Sequence, residues 1–234
     1  MDLHILYEDA YIVCVAKPNN LVVHHAHHSR NVTDETSLVQ LVNEHFESKC
    51  HPIHRLDRKT SGVVVFAKSN EYVAPFQQLF TSHAIQKIYY GIVRGHAPAK
   101  KTIDSPVKGR DAKVYKDAET QLELLNTTVL DIPVKPYPSS RYSLVKLLPK
   151  TGRLHQLRIH CNKISYPLVG DPKYGDNNHN QMFETQFQCS KLFLHAYQLH
   201  FQHPFTDEKI VITAPFPDDW LRIGKHFDWS ELQS

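Results

Sequence analysis

Cysteine is scarce in this sequence, and the few cysteines present are not paired. Cys14, Cys50, Cys161 and Cys189 are scattered over 234 residues, and no C-x-x-C motif occurs. Zinc sites and disulfide frameworks both need cysteines at characteristic close spacings. We therefore expect neither of them, and we interpret the four thiols as small core residues or bystanders.

Long apolar runs are also missing. No run approaches the roughly 20 residues that a membrane-spanning helix needs. The opening stretch MDLHILYEDA has an acid where a secretory signal has basic residues followed by an apolar segment. No internal repeat or Ser/Gly-rich linker is found. We expect a cytoplasmic protein with no membrane contact, of a length that suits one large domain or two small ones.

Charge of one sign is not in large excess. The formal net charge is +3 and the sequence pI is about 8.6, with 41% hydrophobic and 22% charged residues. This mildly basic balance permits a polyanionic partner without requiring one. The 17 histidines are more unusual and can add positive charge below neutral pH.

Hydrophobic periodicity predicts both strands and helices. Strand patterns occur at residues 3–18, 62–67, 87–95, 141–149 and 192–214, the last read as a hairpin. Helix patterns occur at residues 33–46, 70–83, 152–164 and 217–225. Strands outnumber helices and come in hairpins, which favours an α+β fold with a mixed, largely antiparallel central sheet flanked by helices and loops. The polar stretch 100–138 has no clear strand pattern.

The boundaries of three helices carry specific expectations. Thr33 or Asp34 is the expected cap of the first helix, and Asp218 or Asp219 that of the last. Pro75 is expected in the first turn of the helix over 70–83, or at a kink in it.

The stretch HRLDRKTSG, residues 54–62, places a single carboxylate between two guanidinium groups. Asp57 is flanked by Arg55 and Arg58 just before the apolar run Val63–Ala67. Alone, this arrangement is typical of a solvated ion pair on a loop. It also suits a reactive carboxylate that must stay ionised beside a polyanion, since an opposite charge within a few ångströms lowers a carboxylate pKa by roughly 1–3 units.

Four further stretches accompany HRLDRKTSG along the chain. They are AKPNNLVVH, QKIYYGIVRG, PKTGRLHQLRIH and YPLVGDPKYG. In this order the five stretches resemble the RluA-type pseudouridine synthases over nearly the whole chain. The stretches IQKIYYGIVRG, PSSRYSLVKLLPKTGRLHQLRIH and LHAYQLHFQHPFT resemble in particular the small members that act on uridine 65 of tRNA. The resemblance implies isomerisation of uridine to pseudouridine without cofactor or metal. It also implies one catalytic domain over residues 1–234 and no N-terminal S4-like domain.

The resemblance implies roles for four residues. Asp57 matches the aspartate that attacks C1′ as a nucleophile or takes the 2′ proton to give a glycal. Arg158 matches the arginine that pairs with this acid, and Tyr89 matches the K-x-Y tyrosine, which helps to remove the C5 proton. Arg55 matches the residue that fills the space left by the flipped uridine, where a flat guanidinium can stack and donate hydrogen bonds.

Two surface features bear on partners. Lys108, Arg110 and Lys113 lie in the basic stretch 108–116, which we interpret as facing RNA phosphates, although a solvated polar face is the alternative. The cluster HHAHHS, residues 24–29, has no carboxylate or cysteine at ligand spacing, and we expect a loop near RNA rather than a metal site.

The substrate and the class of protein keep alternatives. The expected partner is tRNA, and the same reaction on ribosomal RNA or at another tRNA position is the first alternative. A non-catalytic RNA-binding protein and a metal hydrolase that uses the histidine cluster are alternatives of other classes. No heptad pattern or dimerisation helix is evident, so we expect a monomer.

Overall fold

The computed structural model describes residues 3–25, 36–108 and 114–232. The chain divides into two compact units. The first comprises Met1–Gln86 and Ala196–Pro215, and the second comprises Lys87–His195 and Phe216–Ser234.

Ten strands and five α-helices lie within the described residues. The strands are β1 Ile5–Glu8, β2 Ile12–Lys17, β3 His51–Pro52, β4 Ser61–Ala67, β5 Gln86–Arg94, β6 Lys100–Asp104, β7 Glu119–Leu130, β8 Ser140–Pro149, β9 Leu194–Gln202 and β10 Lys209–Thr213. The helices are α1 Leu38–Phe46, α2 Val73–Thr81, α3 Gln156–Lys163, α4 Asn177–Phe187 and α5 Asp218–His226.

The first unit is built on the strand order β1-β2-β4-β9, with β3 also paired to β4 and β10 to β9. The β1–β2, β2–β4, β3–β4 and β9–β10 pairs are antiparallel. Strand β4 is buried at every position, as its continuous apolar run predicts. The register pairs Lys17 with Gly62, so the end of β2 lies beside the point where β4 leaves the preceding loop.

The second unit has the strand order β5-β8-β7-β6, and its three pairs are antiparallel. Its core joins Val93, Leu122 and Val145 of the strands with Leu157 and Cys161 of α3. One face of α3 is therefore fixed against the sheet, and this helix also carries Arg158.

The predicted α+β class is confirmed, and so are most of the predicted elements. The hairpin of residues 192–214 turns between β9 and β10, and Pro75 lies in the first turn of α2. All four cysteines are buried and free. Among the described residues, no helix has the length and apolar character needed to cross a bilayer.

The predicted cap of α1 was wrong. The helix begins at Leu38, and Ser37 is its N-cap, because Ser37 and Gln40 exchange side-chain and backbone hydrogen bonds in a capping box. The proposed caps Thr33 and Asp34 lie outside the described residues.

Two other helix starts also differ from the prediction. Helix α5 has Pro217 at its N-cap, and Asp218 and Asp219 occupy the first turn instead, where a carboxylate is stabilised by the helix dipole. Helix α3 begins at Gln156, so Leu154 lies in an exposed turn before it. Helix α4 and strands β3, β6 and β7 had no counterpart among the predicted elements.

Candidate active site

The loop that carries Asp57 is held to β4 at its first residue. The backbone N–H of Val65 donates to Nε2 of His54 (3.2 Å), and the His54 ring stacks on Phe80 at a centroid distance of 4.6 Å. Because Nε2 accepts here, Nδ1 carries the hydrogen in the neutral ring. His54 therefore fixes where the loop leaves the sheet.

The side chains along the loop alternate between core and solvent. Leu56 is buried, Asp57 is half-buried, and Arg55 and Arg58 are exposed. The backbone N–H of Thr60 donates to the carbonyl oxygen of Asp57 (3.0 Å), which closes a turn. The turn presents the Asp57 carboxylate at the surface of the first unit while Leu56 holds the loop down.

Lys17 lies beneath this turn and was not singled out from the sequence. Its side chain is 1% exposed, and its Nζ donates to the carbonyl oxygens of Pro18 (2.8 Å), Leu21 (2.8 Å) and Arg58 (3.0 Å). Burial lowers the pKa of Lys17 to about 7, and the nearby Asp57 carboxylate acts in the opposite direction. Lys17 thus ties the Asp57 turn to the segment that follows β2.

That segment contains a left-handed turn. Asn20 has a φ of 69°, a conformation that asparagine tolerates better than most non-glycine residues. Asn19 donates from its side-chain amide to the carbonyl oxygen of Lys59. The KPNN turn and the Asp57 turn are therefore joined by hydrogen bonds from Lys17 and Asn19.

Arg55 lies close to the first member of the histidine cluster. Its Nη1 is 3.5 Å from Nε2 of His24, and both His25 and Arg55 are exposed. The rest of the cluster, residues 26–29, lies outside the described part of the chain. Within residues 3–25, 36–108 and 114–232, no group of three His, Cys, Asp or Glu side chains is placed to hold a metal ion.

Tyr89 lies on β5 opposite Leu147 of β8 and is half-buried. Lys87, two residues earlier on the same face of the strand, donates from Nζ to the carbonyl oxygen of Thr151 (3.2 Å). Burial lowers the pKa of Lys87 to about 8. Tyr90, the next residue, points to the other face of the strand, and its ring centroid lies 5.2 Å from that of Phe216.

The turn before α3 is organised by Gln156, a second residue that sequence reasoning missed. Its Oε1 accepts from Oγ1 of Thr151 (2.6 Å) and from the backbone N–H of Arg153 (3.0 Å). Its Nε2 donates to the carbonyl oxygen of Glu119 (2.9 Å) and to Oγ1 of Thr120 (3.0 Å). One buried amide therefore joins the turn to β7.

Arg158 of α3 is buried, and it forms an ion pair with Asp171. The Arg158 residue is 6% exposed, and its Nε and Nη2 donate to the two Asp171 carboxylate oxygens at 2.7 and 2.8 Å. Burial alone would raise the pKa of Asp171, but Arg158 and the backbone N–H groups of Tyr174 and Lys173 lower it below its usual value.

Lys108 is exposed, and its Nζ lies 6.0 Å from the centroid of the exposed Tyr115 ring. Arg110 and Lys113 lie outside the described residues. The suggested phosphate-facing stretch is therefore described only at its two ends.

The predicted site residues are distributed over both units. Arg55 and Asp57 belong to the first unit, and Lys108, Tyr89 and Arg158 belong to the second. The structure brings Lys17 to the Asp57 turn, His24 to Arg55 and Asp171 to Arg158. The chemical roles of Asp57, Tyr89, Arg158 and Arg55 stay predictions at this point.

Comparison with protein families gives one matching model. The model described as RNA pseudouridylate synthase matches residues 11–163, which include HRLDRKTSG, QKIYYGIVRG and the GRLHQLRIH stretch.

Several similar proteins carry the same name. Proteins called tRNA pseudouridine synthase C are 35% identical to this chain in Vibrio parahaemolyticus, 37% in Haemophilus influenzae and 38% in Pasteurella multocida. These similarities cover 99%, 98% and 98% of this chain and 97%, 100% and 98% of the respective relatives.

Two solved structures share the fold. Human RNA Pseudouridylate Synthase Domain Containing 4 has a TM-score of 0.71 at 26% identity, covering 96% of this chain and 93% of its own. Human RNA Pseudouridylate Synthase Domain Containing 1 has a TM-score of 0.72 at 23% identity, covering 92% and 84%.

Proposed function

The chain belongs to the RNA pseudouridylate synthase family, and we propose that it converts uridine 65 of tRNA to pseudouridine. The reaction of the family is an isomerisation, so the protein is an isomerase. The observation that carries the tRNA substrate is the similarity, over nearly full length, to relatives named tRNA pseudouridine synthase C. The uridine position follows from the resemblance of the motifs to synthases that act there.

The proposal extends to the state of the protein in the cell. We propose that the two units act as one catalytic domain over residues 1–234, and that the protein is a cytoplasmic monomer. The single domain and the cytoplasmic location are supported by the similarity, over nearly full length, to bacterial relatives named tRNA pseudouridine synthase C. The monomer is supported by the lack of a heptad pattern in the sequence.

The proposed first step breaks the bond between C1′ of the ribose and N1 of uracil. The ionised Asp57 carboxylate either attacks C1′ or removes the 2′ proton, and uracil leaves with the bonding electrons. The position of Asp57 on a turn fixed from below by Lys17 suits both routes, because each needs a carboxylate held in one place. Arg158 orients this carboxylate, and Arg55 occupies the space left by the flipped nucleotide.

The proposed second step forms the new bond. The detached uracil turns and its C5 bonds to C1′, as the Asp57–C1′ ester bond breaks in the nucleophilic route or as Asp57 returns the proton to C2′ in the glycal route. C5 then loses its proton and N1 takes one up. Tyr89 is the residue proposed to help remove the C5 proton. Lys87 supports this arrangement, since its bond to Thr151 holds β5 to the turn before α3.

The proposed function is tested with tRNA transcripts that carry tritium at C5 of uridine. The wild-type protein should release tritium, and reverse transcription after carbodiimide labelling should stop at one site, uridine 65. Release at a different tRNA position, or from ribosomal RNA fragments alone, would favour the first alternative. Absence of release from all of these RNAs would favour an RNA-binding protein without activity.

We expect Lys108, Arg110 and Lys113 to add to the salt dependence of tRNA binding. Replacing all three by alanine should reduce the slope of log K against log salt by up to about 2.7, because each phosphate contact contributes about 0.9 to this slope on duplex DNA, taken here as the reference for tRNA stems. The binding constant is measured by filter retention at salt concentrations from about 50 to about 300 mM, over which the affinity for nucleic acid changes strongly.

The matched control removes three exposed lysines elsewhere, Lys49, Lys209 and Lys225. It changes the net charge by the same amount. Equal slopes for the two triple variants would show that the stretch 108–116 is only a solvated polar face.

A further inference from the structure

The guanidinium group of Arg158 is held by more contacts than a simple ion pair provides. Asp171 binds Nε and Nη2 of the guanidinium in a bidentate manner, and the carboxylate is itself 1% exposed. Two-point contact fixes the plane of the guanidinium as well as its position. Burial keeps water from competing for these hydrogen bonds.

Asp171 is in turn held by its own backbone. Its Oδ1 also accepts from the backbone N–H groups of Lys173 (2.9 Å) and Tyr174 (3.0 Å). Its carbonyl oxygen accepts from the N–H of Gly175 (3.1 Å) and from the Asn180 side chain (2.9 Å). The carboxylate therefore has little freedom to follow Arg158, so Arg158 must adapt to it.

The residue before Asp171 shows how tightly this turn is packed. Gly170 has a φ of 74°, and a Cβ built there would lie 1.9 Å from the carbonyl oxygen of Lys191. Its N–H donates to Oδ1 of Asn180 (2.7 Å). Only glycine fits this position, which makes the Asp171 turn a rigid support.

The face of the guanidinium is covered by an aromatic ring. The Tyr174 centroid lies 5.1 Å from Cζ of Arg158, within the range of a cation–π contact. The Tyr174 hydroxyl lies 3.1 Å from Nδ1 of His155, a residue in the left-handed conformation with φ of 55°. A non-glycine residue held in this conformation is typical of sites where the surroundings impose a geometry.

We propose that Asp171 and Tyr174 are positioning residues for Arg158 in the isomerisation, with Asp171 fixing the edge of the guanidinium and Tyr174 its face. This inference rests on the role given to Arg158 in the proposed function. In this role both residues act through Arg158 and not directly on the substrate. They remove the rotational freedom of a long side chain before the RNA arrives, so that its hydrogen bonds act on a reacting group in one orientation.

The pair also sets the charge of the site. Because Asp171 neutralises Arg158 at short range, the guanidinium contributes an oriented hydrogen-bond donor rather than an uncompensated cation. Loss of the Asp171 carboxylate would leave the positive charge of Arg158 in place but would no longer fix the orientation of its guanidinium group. A change in rate without a change in RNA affinity is therefore the expected signature.

The first test replaces Asp171 by asparagine. We expect kcat for pseudouridine formation to fall about 10–100-fold, the scale of a misplaced catalytic group, with KM for the RNA changed less than about threefold. Glu184→Gln on α4 is the matched control, since it removes one negative charge from an exposed position. It should keep the wild-type kcat and KM.

A double-mutant cycle separates positioning from general damage. In an Arg158→Gln background, Asp171→Asn should change kcat less than about threefold, because Arg158 is no longer there to be positioned. Full additivity of the two losses would overturn the proposal. So would a wild-type kcat in Asp171→Asn alone.

A second variant covers the case in which Asp171→Asn fails to fold. Tyr174→Ala leaves the ion pair intact and should lower kcat several-fold, by about 3–10-fold, whereas Tyr174→Phe keeps the ring and should lose less than Tyr174→Ala. Equal losses for these two variants would show that the ring does not act on Arg158 and would overturn that part of the proposal.

A spectroscopic readout needs no substrate. In ¹⁵N-arginine-labelled protein, the Arg158 Nε–H signal should be protected from exchange in the wild type and lost or broadened in Asp171→Asn. A wild-type protein inactive on tRNA would mean that the proposed substrate is wrong, and the cycle would then use the RNA that the protein does modify. Failure of the positioning role is recognised differently, by additive losses in variants of an active wild type.

Discussion

Replacing Asp57 by asparagine is expected to reduce the single-turnover rate of pseudouridine formation by roughly 10³-fold or more. Both proposed routes use the charge of the carboxylate, as nucleophile or as base, and a neutral amide supplies neither. The turn should survive, because the hydrogen bond from Thr60 goes to the backbone carbonyl of residue 57. The rate is measured as tritium release from C5-labelled tRNA with enzyme in excess.

The same variant should bind tRNA and unfold like the wild type. Asparagine has nearly the shape of aspartate, and Lys17 holds the turn through the Arg58 carbonyl oxygen rather than through the carboxylate. Asp131→Asn, an exposed position after β7, is the matched control and should be fully active. Activity of Asp57→Asn within tenfold of the wild type would rule out this carboxylate as the reacting group.

The elements that could be predicted from the sequence are those whose signal is local. Strand β4 is a short apolar run that follows a loop of polar residues. Every residue of the strand is buried, and its apolar residues therefore follow one another without the alternation of a half-exposed strand. The left-handed Asn20 follows from the tolerance of asparagine for that conformation. Hairpin β9–β10 is indicated by the alternation of apolar and polar residues on both sides of a turn that contains Pro204 and Asp207.

Helix α4 was missed because its first turn is polar. The sequence NNHN has no apolar residue, and the buried face includes a histidine, His179, whose Nδ1 lies 2.7 Å from the hydroxyl of Tyr142. Met182, Phe183 and Phe187 complete that face. The start of α1 was also predicted too early in the sequence. Its capping box is formed by Ser37 and Gln40, which lie closer to the apolar residues of the helix than the predicted caps Thr33 and Asp34 do.

The sequence motifs point to candidate site residues, but they do not indicate which contacts those residues make. Motif resemblance leads to Arg158, but its bond to Asp171 joins a helix to a turn 13 residues later and exists only because Gly170 permits that turn. Lys17 is 41 residues from Arg58, the carbonyl of which it binds. No local sequence pattern indicates either pair, because both contacts form only when separate segments of the chain pack together.

Gly62→Ala is expected to destabilise the protein by about 3 kcal/mol or more, which corresponds to roughly 6–12 °C in Tm for a chain of this size. Gly62 has a φ of +118°, which side chains rarely adopt. A Cβ there would lie 2.2 Å from the carbonyl oxygen of Ala196 and 2.6 Å from its backbone nitrogen. Since both contacts are with backbone of a neighbouring strand, relief requires a shift of β4 itself.

The free energy of unfolding is measured by urea denaturation, with Gly152→Ala as the matched control. At Gly152 the nearest atom to an added Cβ is the flexible Lys87 Nζ, 4.0 Å away, so its free energy of unfolding should stay within about 1 kcal/mol of the wild type. A Gly62→Ala variant as stable as Gly152→Ala would mean that β4 can move away from Ala196 at low cost. The loss of stability should be accompanied by a loss of activity at temperatures where the variant is folded, because β4 begins where the Asp57 loop ends and Lys17 pairs with Gly62 in the sheet.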